Sequence, residues 1–164
     1  SASLAGAFNS AEGTVSLWLQ VSAAGVWTDS TQRVASIFLA SGTNKVQLCR
    51  LTTNNVFSLI YIANGTTKSA DYTISGTTTR WIQAACTWSA SADQFKGYID
   101  GVQIGVTSTG LGAWVGALSP TFTTIGAGDN TATTGSPWSG QLAHVAVWNT
   151  PLSAAQIATL GMSS

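Results

Sequence analysis

Hydrophobic and polar residues alternate along much of this chain with a period of two, the repeat of a half-buried β-strand. Residues 14–21 put Val15, Leu17, Leu19 and Val21 on one face. Residues 141–148 put Leu142, His144, Ala146 and Trp148 on one face and Ala143, Val145 and Val147 on the other. Short apolar, β-branched runs over 34–40, 46–51 and 56–62, separated by Ser, Gly, Thr and Asn, predict three further strands. Asn64-Gly65 predicts a tight hairpin, because both central positions of that turn need positive φ, and 71–74 is the expected return strand. Residues 81–88 and 94–100 follow as strands, and Asp100-Gly101 predicts a second hairpin into 102–106. A short run over 122–125 leads to the last strand, which stops before Pro151. Ser153 with Gln156 makes a capping box, and Leu152 with Ile157 a hydrophobic staple, so a helix is expected from Ser153 to about Leu160. About ten short strands with turn signals roughly every 8–12 residues predict an all-β, antiparallel jelly-roll sandwich with one short C-terminal helix.

The 164 residues fit one domain spanning 1–164. A chain of that length buries roughly two thirds of its unfolded surface and needs no metal or disulfide to hold it. Charged residues are only 7% of the chain, six basic against six acidic, so the surface is polar but nearly uncharged. The basic residues Arg33, Lys45, Arg50, Lys68, Arg80 and Lys96 are scattered singly, which excludes nucleic acid as a partner. No apolar run approaches the ~20 residues of a membrane helix, so no membrane insertion is expected. The first residues also lack the basic start and apolar core of an export signal. A net charge near zero gives little colloidal repulsion and suits an extracellular or particle-bound protein better than a free cytosolic one. Cys49 and Cys86 each fall in a predicted strand and read as small buried hydrophobes, with a single disulfide as the alternative.

Four segments carry a family likeness: GTVSLWL from Gly13, RWIQAACTW from Arg80, FKGYIDGVQIG from Phe95, and WSGQLAHVAVW from Trp138 continued by PLSAAQI from Pro151. In order and spacing they resemble the LamG-like branch of the concanavalin A-like lectins and glucanases, related in fold to laminin G and pentraxin domains. The resemblance runs from residue 13 to 160 and implies the concanavalin A-like type of jelly roll. Such domains open with a strand ahead of the segment matching 13–19. Here residues 1–12 lack that pattern, which implies a degenerate strand, a fragment, or a neighbouring subunit that completes the sheet. His144 stands where the family often has an acidic residue.

Related glucanases carry Glu-x-Asp-x-x-Glu on one strand, because retaining hydrolysis needs two carboxylates about 5 Å apart. This chain has one glutamate, and Asp29 and Asp100 read as turn residues, so an enzyme is not expected. His144 is the single histidine, which leaves no second imidazole for a metal set, and strand alternation suggests no Ser/His/Asp arrangement around it, so it reads as a core or interface residue with pH sensing as the alternative. The resemblance also implies calcium held by rim oxygens. Asp129 and Asn130, with Asp29 or Asp71, are the candidate ligands, and the ion is optional rather than required. Of the seven tryptophans, Trp18, Trp81, Trp88, Trp138 and Trp148 read as core. Trp27 and Trp114 lie in loop-like sequence and are the candidate contacts to a carbohydrate or a partner, alongside Asp129 and Asn130. The alternative is that both plug the ends of the sandwich. The expected role is a non-catalytic structural or adhesion module, a surface or decoration component of an extracellular or viral (phage) assembly with other subunits as partners. The second expectation is a calcium-optional, lectin-like carbohydrate-binding domain.

Overall fold

The computed structural model describes residues 7–129, 131 and 135–162. Two five-stranded antiparallel sheets pack face to face, as the alternation predicts. The first holds, from edge to edge, β10 (Gly140–Trp148), β1 (Glu12–Val21), β6 (Ile82–Ser89), β7 (Gln94–Ile99) and β8 (Val102–Ser108). The second holds β5 (Thr66–Thr73), β4 (Val56–Ala63), β3 (Asn44–Arg50), β2 (Arg33–Ser41) and β9 (Thr124–Ile125). Val15, Leu17, Leu19 and Val21 join Leu48, Phe57, Leu59 and Tyr61 in a core shared by both sheets. The opposite parity of β1, Thr14, Ser16, Trp18 and Gln20, therefore looks away from that core.

Both predicted hairpins form. Asn64 and Gly65 have φ of 48° and 79°, and Asp100 and Gly101 have 49° and 77°. The first turn sends the chain straight back, Ala63 opposite Thr66 and Val56 opposite Thr73, so the return strand begins at Thr66 rather than at residue 71. Its polar sequence hides it from a pattern search, yet an edge strand needs few inward side chains, and only Ala70 of β5 is buried. Gly101 serves a second purpose, because a Cβ there would lie 2.9 Å from Ala158 Cα in the helix α1 (Ala154–Gly161). The capping box of α1 is complete: Gln156 N–H donates to Ser153 Oγ at 3.3 Å and Ser153 N–H donates to Gln156 Oε1 at 2.9 Å. Ile157, with Leu152 and Leu160, packs on Ala85 and Tyr98, so the helix covers part of the outer face of the first sheet.

The last strand departs from simple alternation. Ser16 pairs with Ala146 but Trp18 pairs with Ala143, leaving two residues of β10 opposite Leu17. This bulge, with His144 at φ 48°, resets the parity so that Leu142, Val145 and Val147 all pack on the core. His144 is exposed, which corrects the core half of its reading as a core or interface histidine. Ahead of β1 no strand forms over residues 7–11. Phe8 instead closes one end of the sandwich, its ring centroid 5.8 Å from Phe38, 5.4 Å from Trp88 and 5.5 Å from Trp114.

The two cysteines lie on opposite sides of the second sheet. Cys86 belongs to the inter-sheet core, whereas Cys49 clusters with Val34, Ile37 and Leu39. Both are free thiols. Burial pushes each up to about 12, and only the thiolate reacts. A maleimide or disulfide reagent at pH 8 is therefore expected to label neither cysteine in the folded protein and both in denaturant. Fast labelling of the native protein would contradict this placement.

Candidate functional site

The tryptophans divide into those that close the sandwich and those that line its outside. Trp27 ends a short 3-10 turn (Ala24–Trp27) and is only 1% exposed. Its Nε1–H donates to Thr78 O at 2.8 Å, and its ring meets Trp138 edge-on at 6.0 Å. The exposed stacking role expected of Trp27 therefore does not hold. The cause is Arg50, whose side chain is wholly buried. Its guanidinium donates to Trp27 O at 2.7 Å, to Asn54 Oδ1 at 3.3 Å and to Thr31 O, which draws the 23–32 loop inward. Asp29 supplies the countercharge, 3.1 Å from Arg50 Nη1 and paired also with Arg33. Burial pushes the Asp29 carboxyl up, but hydrogen bonds from Arg33 and from Thr31 N–H, with the charges of Arg33 and Arg50, hold it below the ordinary carboxylate value. At the other end, Trp114 is half-buried against Phe8 and Tyr61, and its Nε1–H donates to Gly116 O at 3.0 Å. This packing matches the end-plug alternative for Trp114, whose ring stays partly open to solvent.

The rim carboxylates do not assemble. Asp129 Oδ1 accepts from Thr131 N–H at 2.7 Å and from Thr131 Oγ1 at 2.9 Å, closing its own turn, and its charge bears on Lys45. Asn130 lies outside the described residues. Asp29 is held by the two arginines, and Asp71 accepts from Ser58 Oγ. Among the described residues, no three His, Cys, Asp or Glu side chains converge as a metal site. A calcium shell takes six to eight oxygens, and the described carboxylates of this set are each engaged by their own local partners.

What the fold does assemble lies on the outer face of the first sheet, beside the edge strand β10. Trp18, 9% exposed, forms the floor, while half-buried Trp148 and exposed His144 form the rim. With Ser16, Ala146 and Leu160 of α1 they line a shallow groove of about 290 Å³, apolar over most of its surface. The groove exists because α1 covers β6 and β7 but stops short of β1 and β10, and because the bulge turns His144 outward. Their place in strands predicts Trp18 and Trp148 to be core residues, whereas both line the outer groove. The signal was present: Trp18 falls on the polar parity of β1, opposite Val15, Leu17, Leu19 and Val21.

The Laminin_G_3 family model, described as the concanavalin A-like lectin/glucanases superfamily, matches residues 2–158. The chain belongs to this superfamily. A comparison with curated proteins returns no match. Among solved structures, a heptameric SAP-like pentraxin from Limulus polyphemus shares 17% identity at a TM-score of 0.66, covering 92% of this chain and 70% of its own. Domain 4 of a GH43 extracellular arabinanase from Geobacillus stearothermophilus, in complex with arabinotriose, shares 17% identity at 0.65, covering 94% and 68%. The Ruminococcus gnavus IT-sialidase CBM40 bound to α2,3 sialyllactose shares 13% at 0.62, covering 92% and 82%. The chain spans only 36% of the receptor-binding domain of the botulinum neurotoxin C/D mosaic, which it also resembles. At these identities the likeness to solved structures shows the fold alone.

Proposed function

We propose that this domain is a non-catalytic, glycan-binding module of an extracellular or surface-displayed protein, and that the groove of Trp18 and Trp148 is its binding face. The observation that carries the reading is the pairing of two indoles with hydroxyl and imidazole groups and no charged side chain. Aromatic faces cover the C–H faces of sugar rings, and neutral polar groups meet their hydroxyls. The sugar complexes of the arabinanase domain and the CBM40 support the class of ligand.

The carboxylates support a non-catalytic role. Glu12, the single glutamate, opens β1. The five aspartates each tie down structure: Asp29 the arginines, Asp71 Ser58, Asp93 the Gly110 and Leu111 N–H groups, Asp100 Arg80, and Asp129 Thr131. No described helix is long and apolar enough to cross a membrane.

The test is a glycan array followed by titration of the strongest ligand, with and without calcium. Trp148→Ala and Trp18→Phe are expected to weaken binding, Trp148→Ala by roughly tenfold or more, since an aromatic contact of 1.5–3 kcal/mol is at stake. Trp114→Ala is expected to leave affinity unchanged, and calcium to make no difference. Full binding by folded Trp148→Ala protein would sink the assignment of the groove. A second reading, a subunit of a larger assembly such as a virion surface, draws on the heptameric pentraxin neighbour and on Val102 and Val106, 67% and 82% exposed along the edge strand β8. Light scattering that shows a defined oligomer would favour it.

A further inference from the structure

A second depression lies on the same face, beyond the Trp18 end of the aromatic groove. The next outward residue of β1 is Gln20, which sits directly opposite Gln141 of β10. These two amides, with Ser22 and Thr79, line a polar basin of about 540 Å³ on the same strands. Its walls are held in place, because Gln20 Nε2 donates to Thr79 O at 2.7 Å and the Ser22 and Ser139 hydroxyls lie 3.1 Å apart. From Trp148, opposite Thr14, to Gln141, opposite Gln20, the face spans six residue steps along β1. At ~3.3 Å per residue that is about 20 Å, several times the width of one hexopyranose ring.

Resting on the glycan-binding reading above, we infer that the two depressions form one continuous site for a neutral oligosaccharide lying along β1, stacked at the Trp148 end and hydrogen-bonded at the Gln141 end. Chain length follows from the span, which a monosaccharide or disaccharide cannot bridge. Neutrality follows from the lining, which contains no Lys, Arg, Asp or Glu in either depression. Arg80, the cation next along the chain from Thr79, is paired with Asp100 and donates to Trp81 O at 2.9 Å. An anionic sugar therefore meets no uncompensated positive charge here, whereas side-chain amides pair readily with adjacent hydroxyls. The preformed walls reduce the ordering cost of binding.

The experiment is calorimetric titration of the full chain with neutral ladders of one to six units (cello-, xylo-, malto-, manno- and arabino-oligosaccharides), and with oligogalacturonates as the acidic comparison. Affinity is expected to rise about tenfold or more between the disaccharide and the longer chains of the preferred ladder. The exposed substitution Gln141→Ala is expected to remove most of that rise while leaving the disaccharide unaffected, whereas Trp148→Ala weakens every length. Binding that is flat with length, or hexasaccharide binding unmoved by Gln141→Ala, would overturn the continuous site and leave the glycan-binding reading standing. Preference for the acidic series would overturn neutrality. Failure of every ladder to bind folded protein would remove both the inference and the reading it rests on.

Discussion

Replacing Trp27 with alanine is expected to destabilise the domain by about 3–5 kcal/mol, the range for deleting a buried aromatic. Trp27 is 1% exposed, packs on Trp138, and supplies the N–H that satisfies Thr78 O. Truncation opens a cavity at one end of the core and strands that carbonyl. In a domain of this size each kcal/mol moves Tm by roughly 2–4 °C, so a fall of about 6–20 °C follows. A loss below 1 kcal/mol in urea unfolding would mean the indole is not in the core. The same measurement separates a plug from a binding platform, since an exposed indole would cost little stability and all of the binding.

Arg50→Met is expected to cost about 2–4 kcal/mol, somewhat less than the roughly 3–5 kcal/mol for breaking a fully buried pair, because Asp29 remains 32% exposed. The methionine keeps the volume and loses the donors to Trp27 O, Thr31 O and Asn54. Because Arg50 binds the carbonyl of Trp27 itself, the two substitutions are expected to be coupled, with the double variant losing less than the sum. A pH dependence accompanies this. The folded Asp29 lies below its unfolded value of about 3.9, so its contribution is present above that pH and lost as pH falls through the folded value. Removing Arg50 takes away one charge that holds it down. Acid unfolding of the variant should therefore begin at higher pH than in the parent, and an unchanged acid midpoint would show that Asp29 does not respond to Arg50.

Much of the sandwich was legible in local patterns. Alternation in β1, the two positive-φ hairpins, and the Ser153 and Gln156 cap depend on neighbours within a few residues, and each formed as read. β5 was largely missed because Thr66–Thr73 carries no apolar repeat of its own and exists through pairing with β4. The bulge at His144 was invisible because one extra residue in a strand leaves composition unchanged and shows only against the partner strand.

The candidate site shows the same division. Loop-like sequence around Trp27 and Trp114 suggested exposure, but loop residues also cap the ends of a sandwich, and a guanidinium distant in sequence, Arg50, pulls Trp27 inside. Side-chain period is local physics, so the chain by itself determined the inward face of β1, the two tight turns and the cap of α1, and that Trp18 stands on the polar side of its strand. Burial and grooves arise between segments far apart in sequence. Only the tertiary structure decided that α1 leaves that side open, that Trp148 and Gln141 arrive beside Trp18 and Gln20 from the other end of the chain, and that the rim aspartates are each occupied.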